Sequence, residues 1–549
     1  MKKCMLASLL IFNLITSSSQ SNANHCLLES RSEPAPVFED AYFSPFVVNP
    51  TETFSMMIKL NQSGYKSIEV KAPNWSTLLY KKAIPVTLLL NDDGMEGDEK
   101  AGDRIFTINQ LSTSVSPSIF YPTSLFYRNA DLTFTTISGT KEVQNIDLAF
   151  GIRFIPSTYT NPAVKSINAT VQMTDYVINM VLPANMINDR FAMAKEYYKY
   201  LPDDRDYIVR STTYPTPGTF PAANFYSVKN QTLGFTPTTS ATIYDRTADY
   251  NSKGKLAGFI NMFYTHGGEP IILNHELLHT WAAYTHPDLK LDNSSHWSYA
   301  VLGTSGFGSG IQASSITKLA DGNYSVTPTS LNFYNSLELY LMGLHPADSI
   351  QFPIMTPVEP EFVKFDLPNT IIKASNLKSI NKSEFFSLMP ERNPAFPNTQ
   401  REFKVGSMVI SDRLLTPKEL SYFHEIMKEV ENKNQTPQMI TAGNLSFYTA
   451  TNKKGMISTR LATLTPTDDH RSRLKFNIYP NPSTRVLFID ALMDREYTYC
   501  INDLRGQLMT HGTIKNNTLE ISLPSGLYLF TLSDKNGLAG IQKLMVQAD

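Results

Sequence analysis

The sequence predicts a multidomain, β-rich chain in which an α+β domain stands between an N-terminal β-sandwich and a small C-terminal β-sandwich. Three observations predict it. Short β-rich runs punctuated by Asn, Gly and Pro fill the stretch from Phe38 to Ile155. Helical periodicity appears between residues 189 and 433, interleaved with strand-like runs. β character then returns from residue 475 to the end.

Taken in order, residues 1–23 read as a secretory signal: Lys2 and Lys3, an apolar run from Cys4 to Ile15, then small residues at Ser21-Asn22-Ala23. Residues 24–160 form the first β domain, through runs such as TETFSMMIKL, KSIEVKA and LTFTTI. Residues 161–461 form the α+β domain, with helices expected at 189–201, over the segment IILNHELLHTWAAY, at 331–344 and at 416–433. The last of these starts at Thr416 as N-cap with Pro417 behind it. A polar linker over 462–474 leads to the C-terminal domain, 475–549.

Composition narrows the function. Of 549 residues 42% are hydrophobic, enough for ordinary globular cores, and the formal net charge of −2 without a long basic run argues against nucleic acid as a partner. After the signal, no stretch reaches the roughly 18 apolar residues of a membrane span. Three cysteines, one of them in the signal, make no disulfide scaffold.

The chemistry is concentrated in HELLH at 275–279. Residues i and i+4 share one helix face, so His275 and His279 can reach one Zn²⁺ at about 2.0–2.1 Å. Glu276 then stands beside a metal-bound water whose pKa falls to about 7, and can take its proton as the water attacks a carbonyl. This is the zinc-metalloprotease signature. It predicts hydrolysis of a protein or peptide substrate with Glu276 as general base.

A hydrolytic zinc takes three protein ligands. The metzincin positions for a third histidine hold Ala282 and Thr285 here. His286 would lie about 10 Å beyond His279 on a continuous helix, too far to share the metal. His296, in the loop KLDNSSHW, is the preferred third ligand, with Glu338 on the 331–344 helix as the alternative. Tyr340 is a candidate oxyanion stabiliser and Met342 a candidate floor of the site, with plain core packing as the other reading of both.

A second set of ligand-type residues lies in LNDDGMEGDEKAGDRIF. Asp92, Glu96, Asp98 and Asp103 fall at positions 1, 5, 7 and 12 of a loop with Gly97 at position 6, the spacing of an EF-hand-like Ca²⁺ loop, although position 3 is Gly94. A metal-free acidic hairpin connection is the competing reading. The run resembles the DDG…GD..AGD loop of accessory β-sandwich domains in secreted bacterial proteins.

Two further resemblances carry function. HELLHTW, SSHWS and SLELYLMGL resemble a poorly characterised group of secreted bacterial zincin-type metallopeptidases, over about residues 160–460, with Leu278 where that group has Gly. This implies an α+β zincin-like metalloprotease domain. Pro480-Asn481-Pro482, Asp503-Leu504-Arg505-Gly506, Leu523-Pro524-Ser525-Gly526-Leu527-Tyr528 and Lys543-Leu544 resemble the type IX secretion sorting domain. That resemblance implies passage across the outer membrane with the type IX machinery as partner, and removal of the domain afterwards. The expectation is a secreted zinc endopeptidase, with a secreted binding or adhesion protein on a zincin scaffold as the alternative.

Overall fold

The computed structural model describes residues 38–71, 78–83, 85–114, 122–127, 130–146, 148–214, 216–217, 223–235, 243–263, 270–283, 286, 289, 313–328, 333–358, 370–441, 444–461, 476–490, 497–503, 507–514, 517–534 and 539–547. The expected signal, the 462–474 linker and His296 lie outside these residues. The chain divides into two compact units, Met1–Ala462 and Thr463–Asp549. Among the described residues no helix is long and apolar enough to cross a membrane.

The first unit opens with an eight-stranded antiparallel sheet whose outer strand Phe38–Ser44 pairs with Phe54–Leu60. Strict alternation in FSMMIKL sends Phe54, Met56, Ile58 and Leu60 into the core. A four-stranded sheet built on Leu148–Phe154 adds Ile152 and Phe154 to that core. Two sheets over one apolar layer make this a sandwich.

The sandwich is continuous with the remainder of its unit. Phe46, Val47 and Ile155 belong to the same core as Leu273, Leu277 and Trp281. Thr216–Pro217 adds a short strand to the edge of Leu148–Phe154. The buried Arg153 guanidinium lies 5.5, 5.5 and 5.2 Å from the rings of Phe46, Tyr422 and Phe423, and Lys418 pairs with Glu52.

The rest of this unit is organised by a mixed sheet of β1 (Lys165–Asn168), β2 (Val171–Met173), β3 (Ile178–Val181), β4 (Tyr207–Thr212), β5 (Ala223–Ser227), β6 (Gly258–Met262) and β7 (Glu402–Ser411). The spatial order is β1-β2-β3-β7-β4-β6-β5, with β3, β7, β4 and β6 parallel and β5 antiparallel at the edge. Every residue of β4 and β6 is buried, as parallel strands covered on both faces must be. The strand preceding the HELLH helix is therefore interior. β5 returns antiparallel along it, Phe225 opposite Ile260, and takes the edge position.

Helices flank the sheet: α1 (Arg190–Tyr197), α2 (Pro270–Ala282), α3 (Ser336–Leu341) and α4 (Pro417–Val430). Asp189 caps α1, accepting from the backbone N–H of Phe191 and Ala192. Thr416 and Glu419 form a capping box on α4, with Pro417 at the first position. α3 is shorter than the 331–344 expectation, because Asn335 adopts an extended backbone and caps the helix. At its far end Gly343 has φ +81° and the Leu344 N–H reaches back to the Leu339 carbonyl at 2.8 Å, a left-handed stop that suits glycine.

In the second unit a three-stranded and a four-stranded sheet share a core that includes Ile478, Leu487, Ile501, Phe530 and Leu544. The Asn481 amide donates to the Lys543 carbonyl at 2.6 Å and its oxygen accepts from the Met545 N–H at 2.8 Å. The Tyr528 hydroxyl closes the LPSGLY turn on the Pro524 carbonyl at 2.8 Å.

Candidate metal centre

α2 carries its apolar residues on the inner face: Leu273, Leu277 and Leu278 are buried, and Trp281 packs against Tyr207 and Phe403 at ring distances of 6.4 and 5.3 Å. One residue before the motif, Asn274 is tied from behind. Its amide donates to the Leu445 carbonyl at 2.9 Å, and its own carbonyl accepts from the Tyr334 hydroxyl at 2.8 Å.

The helix brings His275 and His279 together with ring centroids 5.3 Å apart and planes at 78°. The ligand-type atoms of His275, Glu276 and His279 all lie within 4.8 Å of one another. His275 is half-buried, while Glu276 and His279 are buried. One Glu276 oxygen, Oε2, has no hydrogen-bond partner, and burial pushes the carboxyl up to about 8.

A buried carboxylate oxygen without a partner is costly unless a cation or reacting group uses it. Two imidazoles one turn apart beside such an oxygen form a donor set suited to Zn²⁺, which prefers nitrogen ligands and leaves an open position in catalytic sites. These residues fit the ion that the motif implies.

Among the described residues, Glu338 and Tyr340 have partners of their own. Glu338 is fully buried, but its Oε2 accepts from the Asn335 N–H at 2.8 Å while its own N–H donates to Asn335 Oδ1 at 2.9 Å. It completes the cap of α3 and is outside the group formed by His275, Glu276 and His279. The Tyr340 hydroxyl accepts the Arg392 N–H at 2.7 Å, and its ring meets Phe386 edge-on at 5.9 Å. Met342 is core and His286 is exposed.

In the acidic loop, Asp92, Asp98 and Asp103 approach within 4.8 Å of one another, and Glu96 does not join them. Glu96 has φ +50° and faces Lys81 Nζ at 3.8 Å, because the reversal at Gly97 turns its side chain outward. Backbone donors occupy the aspartates. Asp92 accepts from the N–H of Gly102, Asp103 and Arg104 at 2.6, 3.2 and 2.9 Å, and Asp98 from those of Gly94 and Lys100 at 2.5 and 3.3 Å. The geometry accommodates the metal-free acidic connection as well as a cation.

One neighbour of the site, Phe225, escapes sequence reasoning. Its ring lies nearly parallel to the His279 imidazole, at 10° and 6.1 Å between centroids. The available signal is an aromatic in the strand-like run ANFYS.

Comparison with known proteins divides the chain as its structure does. No curated protein matches it. Among solved structures, a β-glucuronidase of Parabacteroides merdae aligns at 8% identity over 93% of this chain and 65% of that one, with a TM-score of 0.15. Bacteroides uniformis β-glucuronidase 3 aligns at 6% identity over 93% and 64%, with a TM-score of 0.13. The chain thus spans just under two thirds of either enzyme, and the scores carry no fold relationship. The family model described as the secretion system C-terminal sorting domain matches residues 477–547. Those residues are a type IX secretion sorting domain, and the protein is exported by that route to the cell surface or beyond.

Proposed function

We propose that the exported chain is a zinc-dependent endopeptidase with an α+β zincin-like catalytic domain. The observation that carries this reading is the buried, unpartnered oxygen of Glu276 beside two histidines one helical turn apart. His275 and His279 would hold the zinc, with His296 as the proposed third ligand. When bound, zinc acidifies a water and polarises a carbonyl.

The chain's own residues do the rest. Glu276 Oε2 accepts the water proton and returns it to the leaving amine, and its raised pKa suits a group that must do both. Among the described residues β5 has no strand on its outer side, and a substrate added there as an extended strand would run past α2, which packs against β5. The sandwich contributes to the core behind α2 and leaves that edge open among the described residues.

The test measures zinc by elemental analysis and casein cleavage on wild type, Glu276→Ala, His296→Ala and Glu338→Ala. Support is about one zinc per chain, cleavage lost with zinc retained in Glu276→Ala, and zinc lost in His296→Ala. Loss of zinc in Glu338→Ala alone, with the fold intact, would transfer the third ligand to α3. Zinc without cleavage in wild type would favour a binding protein on the same scaffold.

A further inference from the structure

We propose that Phe225 is a positioning residue for His279: its ring sets the plane of the imidazole, and Gly258 supplies the space that allows it. This rests on the zinc reading above and adds a residue from a different element to the site.

A histidine nitrogen binds a metal along a direction in the ring plane, so the plane must be set before the nitrogen can point correctly. The torsion that sets it, χ2, is broad and roughly two-fold, and does not fix the plane by itself. His279 leaves α2 toward β5, where Phe225 presents a flat face at 10° to the imidazole with centroids 6.1 Å apart. Offset parallel rings at such distances attract one another. The contact holds the His279 plane at 78° to that of His275, the arrangement in which the two stand side by side on α2.

Phe225 is itself constrained. It pairs with Ile260, so its ring leans diagonally over Gly258, which pairs with Ser227. A Cβ at Gly258 would stand 2.7 Å from Phe225 Cζ and 3.1 Å from Tyr207 Cδ1. Since β6 is interior and Tyr207 is wholly buried, the Phe225 ring would be the part to move. Glycine in a strand interior commonly marks such a close approach. β5, β6 and α2 are thereby coupled through one ring, and the substrate edge and a zinc ligand share a support.

The experiment compares the full chain as wild type, Phe225→Leu, Phe225→Tyr and Gly258→Ala. It reads zinc affinity by competition with a chromogenic chelator, the visible absorption of the Co²⁺-loaded protein, and the melting temperature of the metal-free protein. Phe225→Leu fills the space without a flat face. The expected result is zinc binding weakened about tenfold or more, the range of supporting-residue losses at metal sites. An altered Co²⁺ spectrum and a metal-free melting temperature within a few degrees of wild type should accompany it. Phe225→Tyr should restore both metal readouts, and Gly258→Ala should weaken zinc in the same direction as Phe225→Leu.

Wild-type affinity and spectrum in a folded Phe225→Leu protein would reduce Phe225 to packing and overturn the proposal. If that variant does not fold, Phe225→Met carries the same comparison. A wild type that binds no zinc overturns this proposal together with the zinc reading, whereas zinc bound without proteolysis removes only the peptidase.

Discussion

The Tyr334 hydroxyl donates to the main-chain carbonyl of Asn274 across 2.8 Å of buried space, one residue ahead of His275. Tyr334 immediately precedes the cap of α3, so this bond fastens one helix start to the middle of another. Tyr334→Phe should keep the ring packing against Phe447 and lose the donor. The expected cost is about 1 kcal/mol, read as a lower urea midpoint with an unchanged slope.

Glu276 illustrates a conflict between stability and activity. Its Oε2 lacks a partner, and replacing the carboxyl by an apolar side chain removes that defect. Glu276→Leu should stabilise the metal-free protein by about 1–3 kcal/mol while abolishing cleavage. Thermal melts in chelator, run beside a protease assay, check both halves.

Asp40 lies where the sandwich approaches the segment holding Asp412, and burial, aided by that like charge, pushes its carboxyl up to about 6. The folded state therefore holds this proton more tightly than the unfolded chain does. The resulting stabilisation is complete below the ordinary value of 3.8 and is lost as pH rises through about 6. Asp40→Asn keeps an acceptor for the Ala41 N–H and should gain on the order of 2 kcal/mol at about pH 7.5, with little difference at about pH 4. Denaturation midpoints at the two pH values decide it.

Gly234 has φ +92°, and a Cβ there would stand 2.7 Å from Arg392 N and Cα and from the Glu391 carbonyl oxygen. The atoms in the way are backbone, held by the reciprocal Leu233–Asn393 bonds of 2.9 and 3.1 Å. Gly234→Ala should cost about 2 kcal/mol or more, measured by denaturation. Because Arg392 also holds the Leu341 carbonyl at 2.9 Å, loosening should spread to the end of α3 and appear as faster amide exchange there.

What the sequence makes legible is local. The i, i+4 histidines with apolar flanks specify α2, Thr416-Pro417 with Glu419 specifies the start of α4, and the turn residues of the last 75 positions specify the sorting domain. Asn335 followed by Glu338 obeys the same capping rule as Thr416 and Glu419. Applied to that pair, the rule gives Glu338 a place in the cap of α3. The edge strand is not legible, because sheet order depends on partners distant in sequence and no local pattern says that β5 lies outside β6. β7 is hidden in a similar way: EFKVGSMVIS carries Gly406, which reads as a weak point in a strand. In the fold a Cβ there would collide with the Tyr197 hydroxyl, so the glycine marks helix-to-sheet contact.

The position of β7 also bears on time. This strand lies between β3 and β4 in space yet follows both by some two hundred residues in the chain. A polypeptide emerging from its N-terminus has the HELLH segment well before it has the strand that completes the supporting sheet. Pairings of such long range are slow to close. The export domain follows β7, so a product that stops short of the keystone strand also lacks its address. Incomplete chains lack the domain for outer-membrane passage as well as a finished sheet behind the histidines.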